Sequence, residues 1–395
     1  MYDIHKAYNS VFTGDAEKHA RRLVWRWGRE DDEWTTFGFV KMHFGDQPAA
    51  TGLEVAKEIA AEEGRSIDED TASKMKKGGY VDDHIVGGSK AECANMRRKC
   101  SIENGEYHYD GTIAKILAQV GMKPKVIVSN KDEDDIAISK LGDTFLGYKW
   151  NVKEDVIGIK FNGIRAKPSI KMETINELES TGLTLRIVTG VLASQYDPLG
   201  LNSPRTIKYK ILLKETNLVI KDWDQLFENE LLKKWREALK EMVKSKVIEF
   251  PRAAIEEGCI DIELIGYWDG SKSAYAAVLY LRCKNENCEE IGGCSWAIKI
   301  LTGKARVTPA KGLTPPRSEL NGLLILCRLI SACREGLPRV PDRITLIGDS
   351  ECTISSVESE EGILAPYFAK RCEEIDEHMS KWKQVSVVDP LYHTP

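Results

Sequence analysis

The sequence predicts a chain of several domains: α+β at its start, mostly helical in the middle, and α/β with a mixed sheet at its end. Three observations carry this. The chain has 395 residues, and domains run to roughly 100–200 residues each. Hydrophobic residues make up 42% and charged residues 30%, the profile of globular domains with ample core. The apolar pattern also changes along the chain, from short strands and helices, through helical periods, to long alternating runs.

The first segment runs to about Asp155. Tyr2 to Ile4 is strand-like, and Leu53 to Ala61 is helical. Gly78-Gly79 leads into Tyr80-Val81-Asp82-Asp83-His84-Ile85-Val86-Gly87-Gly88. Short apolar arms, an acidic tip and glycines at both ends predict a hairpin there. Ser89 to Glu92 has the spacing of a capping box. Ala114 to Val120 is helical, with Gly121 as its stop, and Val126 to Val128 and Phe145 to Trp150 are strands.

The middle segment, about Val156 to Ile255, is mostly helical after its first strand. Leu231, Leu232, Trp235, Leu239, Met242 and Val243 follow a helical period that predicts a helix over Leu231 to Val247, closed by Pro251. In the last segment Ile260 to Trp268, Ala276 to Cys283 and Gly293 to Ile300 are strands. A helix starts at Glu319, with Leu320, Leu323, Leu324, Cys327 and Ile330 on one face. Ile344 to Ile347 is a buried strand ending at Gly348-Asp349. Three strands, a helix and a strand make one α/β domain with a mixed sheet.

Several classes are excluded. No apolar run reaches the roughly 18–20 residues of a membrane span; the best, Leu323 to Leu326, is broken by Arg328. The start has no signal-peptide core. Ten cysteines without a C-x-x-C pair fit no disulfide scaffold. The loose group Cys283, Cys288 and Cys294 fits no zinc module, so free thiols in a reducing compartment are expected. The net charge of −5 taken alone argues against nucleic acid. It is uneven, however: −5 over the first 159 residues, +5 over Lys160 to Ile255, and −5 from Glu256 to the end.

Acids at strand ends carry the chemical signal. Asp3 ends a strand, and Asp82 and Asp83 share a hairpin tip, where two like charges repel. A bound divalent cation removes that repulsion, and Mg²⁺ takes oxygen ligands from one or two carboxylates plus substrate phosphates. Two such ions roughly 3.5–4 Å apart clamp both oxygens of an in-line phosphoryl transfer. The plain alternative is an exposed acidic turn. Asp269, Glu319 and Asp349 form a second set, each where a strand ends or a helix begins. Their plain alternatives are a helix-dipole partner for Glu319 and a helix cap for Asp349.

These motifs, in this order, resemble the pol polyprotein of a BEL/Pao-type LTR retrotransposon over nearly the whole chain. Tyr2-Asp3-Ile4-His5-Lys6-Ala7-Tyr8, Phe44-Gly45-Asp46-Gln47-Pro48-Ala49, Tyr80-Val81-Asp82-Asp83 and Leu146-Gly147-Tyr148-Lys149-Trp150 resemble a reverse-transcriptase palm. Tyr196-Asp197-Pro198-Leu199-Gly200-Leu201, Trp223-Asp224 and Pro251-Arg252 resemble its thumb and connection. Trp268-Asp269-Gly270-Ser271, Lys304-Ala305-Arg306-Val307, Pro316-Arg317-Ser318-Glu319-Leu320 and Gly348-Asp349-Ser350 resemble its RNase H.

The resemblance implies a palm over 1–157 (an antiparallel sheet with helices), a thumb and connection over 158–258, and an RNase H-like domain over 259–395. It implies an RNA-directed DNA polymerase fused to RNase H, with two Mg²⁺ or Mn²⁺ per site. Asp3, Asp82 and Asp83 would hold the polymerase metals, and Asp269, Glu319 and Asp349 those of the RNase H. Tyr8 would be the steric gate against a ribose 2′-OH. Gln47 would touch the nascent pair, with Tyr80 and Gly147 also at the substrate. RNA template, DNA primer, RNA–DNA hybrid and dNTPs would be the partners, with no membrane. The compartment would be the cytoplasm, in the element's virus-like particle, or the nucleus. The resemblance also implies fingers upstream of Met1 and a fourth RNase H acid beyond Pro395, unless Asp389 serves. Without fingers, the alternative is a remnant that holds nucleic acid through its basic middle and does not polymerise. A protease is disfavoured, since Asp110-Gly111-Thr112 has the wrong order for an aspartic-protease turn and no nucleophile elbow is present.

Overall fold

Alternation builds the strands, and capped apolar periods build the helices, in both units of the computed structural model. It describes residues 1–28, 33–43, 45–80, 83–103, 106–129, 144–145, 147–159, 164–167, 170–172, 179–180, 182–245, 247–255, 258–285, 296–359, 364–382 and 384–388. One unit comprises Met1–Leu146 with Val152–Glu154, and the other Gly147–Asn151 with Asp155–Pro395.

The first unit is α+β. Tyr2–Ile4 pairs antiparallel with Asp83–His84 on one side and Pro124–Ile127 on the other, and Gly79–Tyr80 completes the sheet. The alternation points Tyr2 and Ile4 inward, each 2% exposed, and leaves Asp3 half-buried on the other face. The Tyr2 ring stacks on His84 at 4.6 Å. Burial, with Glu54 adding, pushes the Tyr2 hydroxyl far above its usual pKa. The helices Ala49–Gly64 and Thr112–Ala118 close the core with Leu53, Ala60, Ile113, Ile116 and Leu117. The capping box is present: Ser89 Oγ accepts from Glu92 N–H at 3.3 Å, and the Glu92 carboxylate accepts from Ser89 N–H at 2.7 Å.

The second unit opens with the antiparallel strands Tyr148–Asn151 and Val156–Ile159. The helices Leu185–Ala193, Ser203–Val219 and Asn229–Lys244 follow. They share a core around Trp235, Leu239, Met242 and Val188. Trp235 is fully buried, and its indole N–H is satisfied by Thr216 Oγ1 at 2.9 Å. The helix predicted through Val247 ends at Lys244, because Ser245 is already extended. Pro251, expected to close that helix, instead ends the strand Ile248–Pro251. That strand lies at a sheet edge beside Val156–Ile159, where a missing N–H costs least.

The C-terminal sheet is mixed, with strand order Trp296–Val307, Ala274–Asn285, Cys259–Gly270, Arg343–Ile347, Val385–Val388. The first three pair antiparallel, and the last two join in parallel. The helix Pro315–Gly336 packs on this sheet through Leu320, Leu323, Leu324, Cys327 and Ile330, the face its period predicts. Cys259 and Cys283 are joined in a disulfide between neighbouring strands. This corrects the expectation of free thiols for that pair; Cys288 and Cys294 lie outside the described residues. No helix among the described residues is long and apolar enough to cross a membrane.

Candidate active site

Two carboxylates are placed by strand register. In the parallel ladder Tyr267 faces Ile347. Asp269 and Asp349 each stand two residues beyond that pair, at the same ends of adjacent strands. Neighbouring strands lie about 4.8 Å apart, so the two backbones deliver acids to one edge. Both side chains are exposed.

Glu319 reaches the same edge from the helix. A Cβ on Gly270 would come within 2.3 Å of Glu319 N, so only glycine lets the strand end approach the helix this closely. The Glu319 carboxylate accepts a hydrogen bond from Ser350 Oγ at 2.6 Å, and Ser350 directly follows Asp349. Ser350 is 7% exposed; its oxygen accepts in turn from Thr353 N–H at 3.2 Å and lies 2.9 Å from Thr353 Oγ1. Asp269 Oδ1 accepts from Gly270 N–H at 2.6 Å.

The plain alternatives for two of these acids do not hold. The helix begins at Pro315, four residues before the predicted start, and has no acid in its first turn. Glu319 is therefore beyond the turn where the dipole acts. The cap of the helix Glu351–Glu358 is Ser350, not Asp349. Asp349 therefore has no capping role, whereas Ser350 both caps that helix and holds Glu319. Its signal was the Ser-x-x-Thr spacing at a helix start; nothing in the sequence joined it to Glu319.

The donor chemistry fits a hard divalent cation: three carboxylates at one sheet edge, two of them open to solvent. Among the described residues, however, no three His, Cys, Asp or Glu side chains are gathered at ligand spacing.

In the first unit, Asp3 pairs across the sheet with Val126. The neighbouring residue, Lys125, places its ammonium 2.9 Å from Asp3 Oδ2. Tyr2 faces His84, and the same register carried one residue on sets Asp83 opposite Asp3. Asp82, Phe44, Leu146 and Asp389 lie outside the described residues. Tyr8 begins a short 3₁₀ turn and is half-buried against the core. Gln47 is exposed just before the helix Ala49–Gly64, and Tyr80 faces Asp83 across the hairpin turn.

Gly147, in the second unit, has φ +79° and feeds the strand Tyr148–Asn151. Tyr148 donates its hydroxyl to Asp197 Oδ1 at 2.7 Å and accepts from Leu199 N–H at 2.8 Å. Burial and then Asp197 push that hydroxyl far above its usual pKa. Asp197 also accepts from Leu201 and Asn202 N–H. Two motifs from separate stretches of the sequence thus form one network.

Residues 184–350 match the family model described as the Pao retrotransposon-like RNaseH-like domain. The span is less than half of the chain and contains Asp269, Glu319 and Asp349. The whole chain also superposes on foamy viral protease-reverse transcriptase, solved in complex with RNA/DNA hybrid. The TM-score is 0.52 at 12% identity, covering 100% of this chain and 44% of that one. At this identity the likeness shows the fold alone, and this chain spans less than half of the foamy viral one. RNase H1 from the halophilic archaeon Halobacterium salinarum NRC-1 aligns with 32% of this chain and 84% of its own, at 14% identity and a TM-score of 0.22. No curated protein matches the sequence.

Proposed function

We propose that the C-terminal region is an RNase H that cuts the RNA strand of an RNA–DNA hybrid, in a pol protein of BEL/Pao type. One observation carries this reading: Asp269 and Asp349 end adjacent parallel strands, and Ser350 ties Glu319 to that same edge. Asp269, Glu319 and Asp349 would hold two Mg²⁺ or Mn²⁺. A bound cation supplies a lowered pKa for the attacking water and neutralises charge on the phosphoryl oxygens. The chain's own residues do the placing. Strand register fixes two carboxylates, Ser350 orients the third, and their exposure lets a duplex reach them. The hybrid would be read by shape and by its 2′-hydroxyls, with the basic middle segment adding phosphate contacts.

Residues 1–157 are read as the palm of an RNA-directed DNA polymerase, with 158–258 as thumb and connection and 259–395 as RNase H. Asp3, Asp82 and Asp83 would bind its cations, Tyr8 would gate the sugar, and Gln47, Tyr80 and Gly147 would contact template, primer and dNTP. A second reading is a remnant that holds nucleic acid through its basic middle segment and does not polymerise. The Lys125 ammonium favours it, because it already neutralises Asp3. A retroelement particle in the cytoplasm, or the nucleus, would be the setting.

The test is cleavage of end-labelled RNA in a hybrid with Mg²⁺, using the full chain. Asp269→Asn should lose at least about 100-fold in rate, as expected when a charge-stabilising group at the reacting centre is removed. Equal rates in both proteins would refute the hydrolytic reading. Primer extension on poly-A, with Asp82→Asn as control, decides between polymerase and remnant.

A further inference from the structure

Beside the candidate site, two guanidinium groups share one aromatic ring. Arg317 Cζ lies 4.7 Å from the centre of the Tyr367 ring, and Arg371 Cζ lies 3.7 Å from it. The ring is fixed by Asn321, which is 8% exposed and whose Nδ2 donates to Tyr367 Oη at 2.9 Å. The same amide orients Arg371: Asn321 Oδ1 accepts from Arg371 Nε at 2.8 Å, and Arg371 Nη1 donates to the Tyr367 carbonyl at 3.0 Å. The arrangement joins the helix Pro315–Gly336 to the helix Pro366–Met379.

Among the described residues neither Arg317 nor Arg371 is in an ion pair. Glu374, one turn along from Arg371, is held by Arg328 in two hydrogen bonds of 2.7 and 2.9 Å. A guanidinium carries five N–H donors, and Arg371 commits two. Two cations held this close repel unless an anion lies between or over them. Arg317 is also the third residue of its helix, in the first turn, where the helix dipole favours an anion. A planar fork of donors matches the oxygens of a phosphodiester.

Place identifies the phosphate. Arg317 and Asn321 stand four residues apart and share a helix face, whereas Glu319, two residues from each, faces the other flank. Along the axis Arg317 and Glu319 are separated by about 3 Å. A strand crossing this end of the helix would meet both.

We propose that Arg317 and Arg371, set by Tyr367 and Asn321, clamp one backbone phosphodiester of the duplex whose RNA the neighbouring acids cut. The identity of that duplex rests on the hydrolytic reading; the clamp itself does not. The phosphate belongs to either the DNA or the RNA strand.

The experiment measures binding of the full chain to a labelled RNA–DNA hybrid and to the same sequence as DNA duplex, by fluorescence anisotropy across salt concentrations. Arg317→Gln is exposed and leaves the core untouched; Arg371→Gln is the second arm. Each should weaken binding to the hybrid about tenfold and lower the salt slope by about 1. Methylphosphonates, neutral at one linkage, are then walked along the DNA strand and along the RNA strand. One position should bring the wild-type protein down to the level of the variants and leave the variants unchanged, and the strand that contains it is the source. Wild-type affinity and slope in both variants would overturn the clamp. So would absence of any binding by the wild-type protein. Arginine-dependent binding without cleavage would overturn only the hydrolytic reading, and cleavage with arginine-independent binding only the clamp.

Discussion

Ser350 is the residue on which the candidate site turns. It caps one helix through Thr353 N–H and holds Glu319 through its hydroxyl. Ser350→Ala should lose both. The lost cap costs about 1 kcal/mol of stability, read as a lower urea midpoint. The freed carboxylate should lower hybrid cleavage about tenfold with little change in hybrid affinity. Ser350→Thr should restore both, since it keeps the hydroxyl. Unchanged cleavage in Ser350→Ala would show that Glu319 needs no orientation from it. The acids themselves were legible in the sequence, because Asp-Gly and Gly-Asp at the ends of apolar runs mark strand ends. Ser350 was not legible as Glu319's partner, because the two are 31 residues apart and only the fold brings them together. Lys125 was missed for the same reason, its bond to Asp3 spanning 122 residues.

At the scale of elements, the period of 3.6 and the alternation of 2 located most helices and strands, but their ends followed local chemistry. Pro315 and Pro316 start a helix four residues before its first apolar residue pattern suggested, because proline is well placed in a first turn. Ser245 stops another early. Tyr148 with Asp197, and Arg252 with Asp155, the latter in bonds of 2.5 and 2.8 Å, show what several motif residues do. They join distant stretches of chain. The helices Pro315–Gly336 and Pro366–Met379 are tied in the same way by Arg328 and Glu374. The Arg328 guanidinium holds the Glu374 carboxyl below the usual range. A lowered folded pKa adds stability above the unfolded value and loses it as pH falls through the folded one. Both side chains are partly exposed, so the pair contributes only about 0.5–1 kcal/mol at pH 7. Arg328→Gln should therefore lower the urea midpoint at pH 7, and the difference from wild type should vanish as the pH falls from about 5 toward 3. A difference that persists there would mean that packing, not charge, joins these helices.

At the scale of the whole molecule, the net charge of −5 conceals a basic segment between two acidic ones. The acidic segments hold both sets of strand-end carboxylates. The antiparallel part of the mixed sheet was legible because its three strands are long and the helix that follows is strongly periodic. Part of the middle segment was not, since Ile248–Pro251 pairs with a strand about 90 residues earlier and no local pattern signals that. If the two sites are separate, Asp269→Asn should abolish hybrid cleavage and leave any primer extension intact, and Asp82→Asn should do the reverse. Loss of both activities in either variant would indicate one shared site or a damaged fold.

The central claim is that Asp269, Glu319 and Asp349 act together on the RNA of a hybrid. Its most direct test is cleavage, with Mg²⁺, of one labelled RNA presented as a hybrid, as a single strand and as an RNA duplex. Wild-type protein should cut the hybrid alone, and Glu319→Gln, which keeps the side-chain shape and removes the charge, should be at least about 100-fold slower. Equal cutting of all three substrates, or a Glu319→Gln rate equal to wild type, would contradict it.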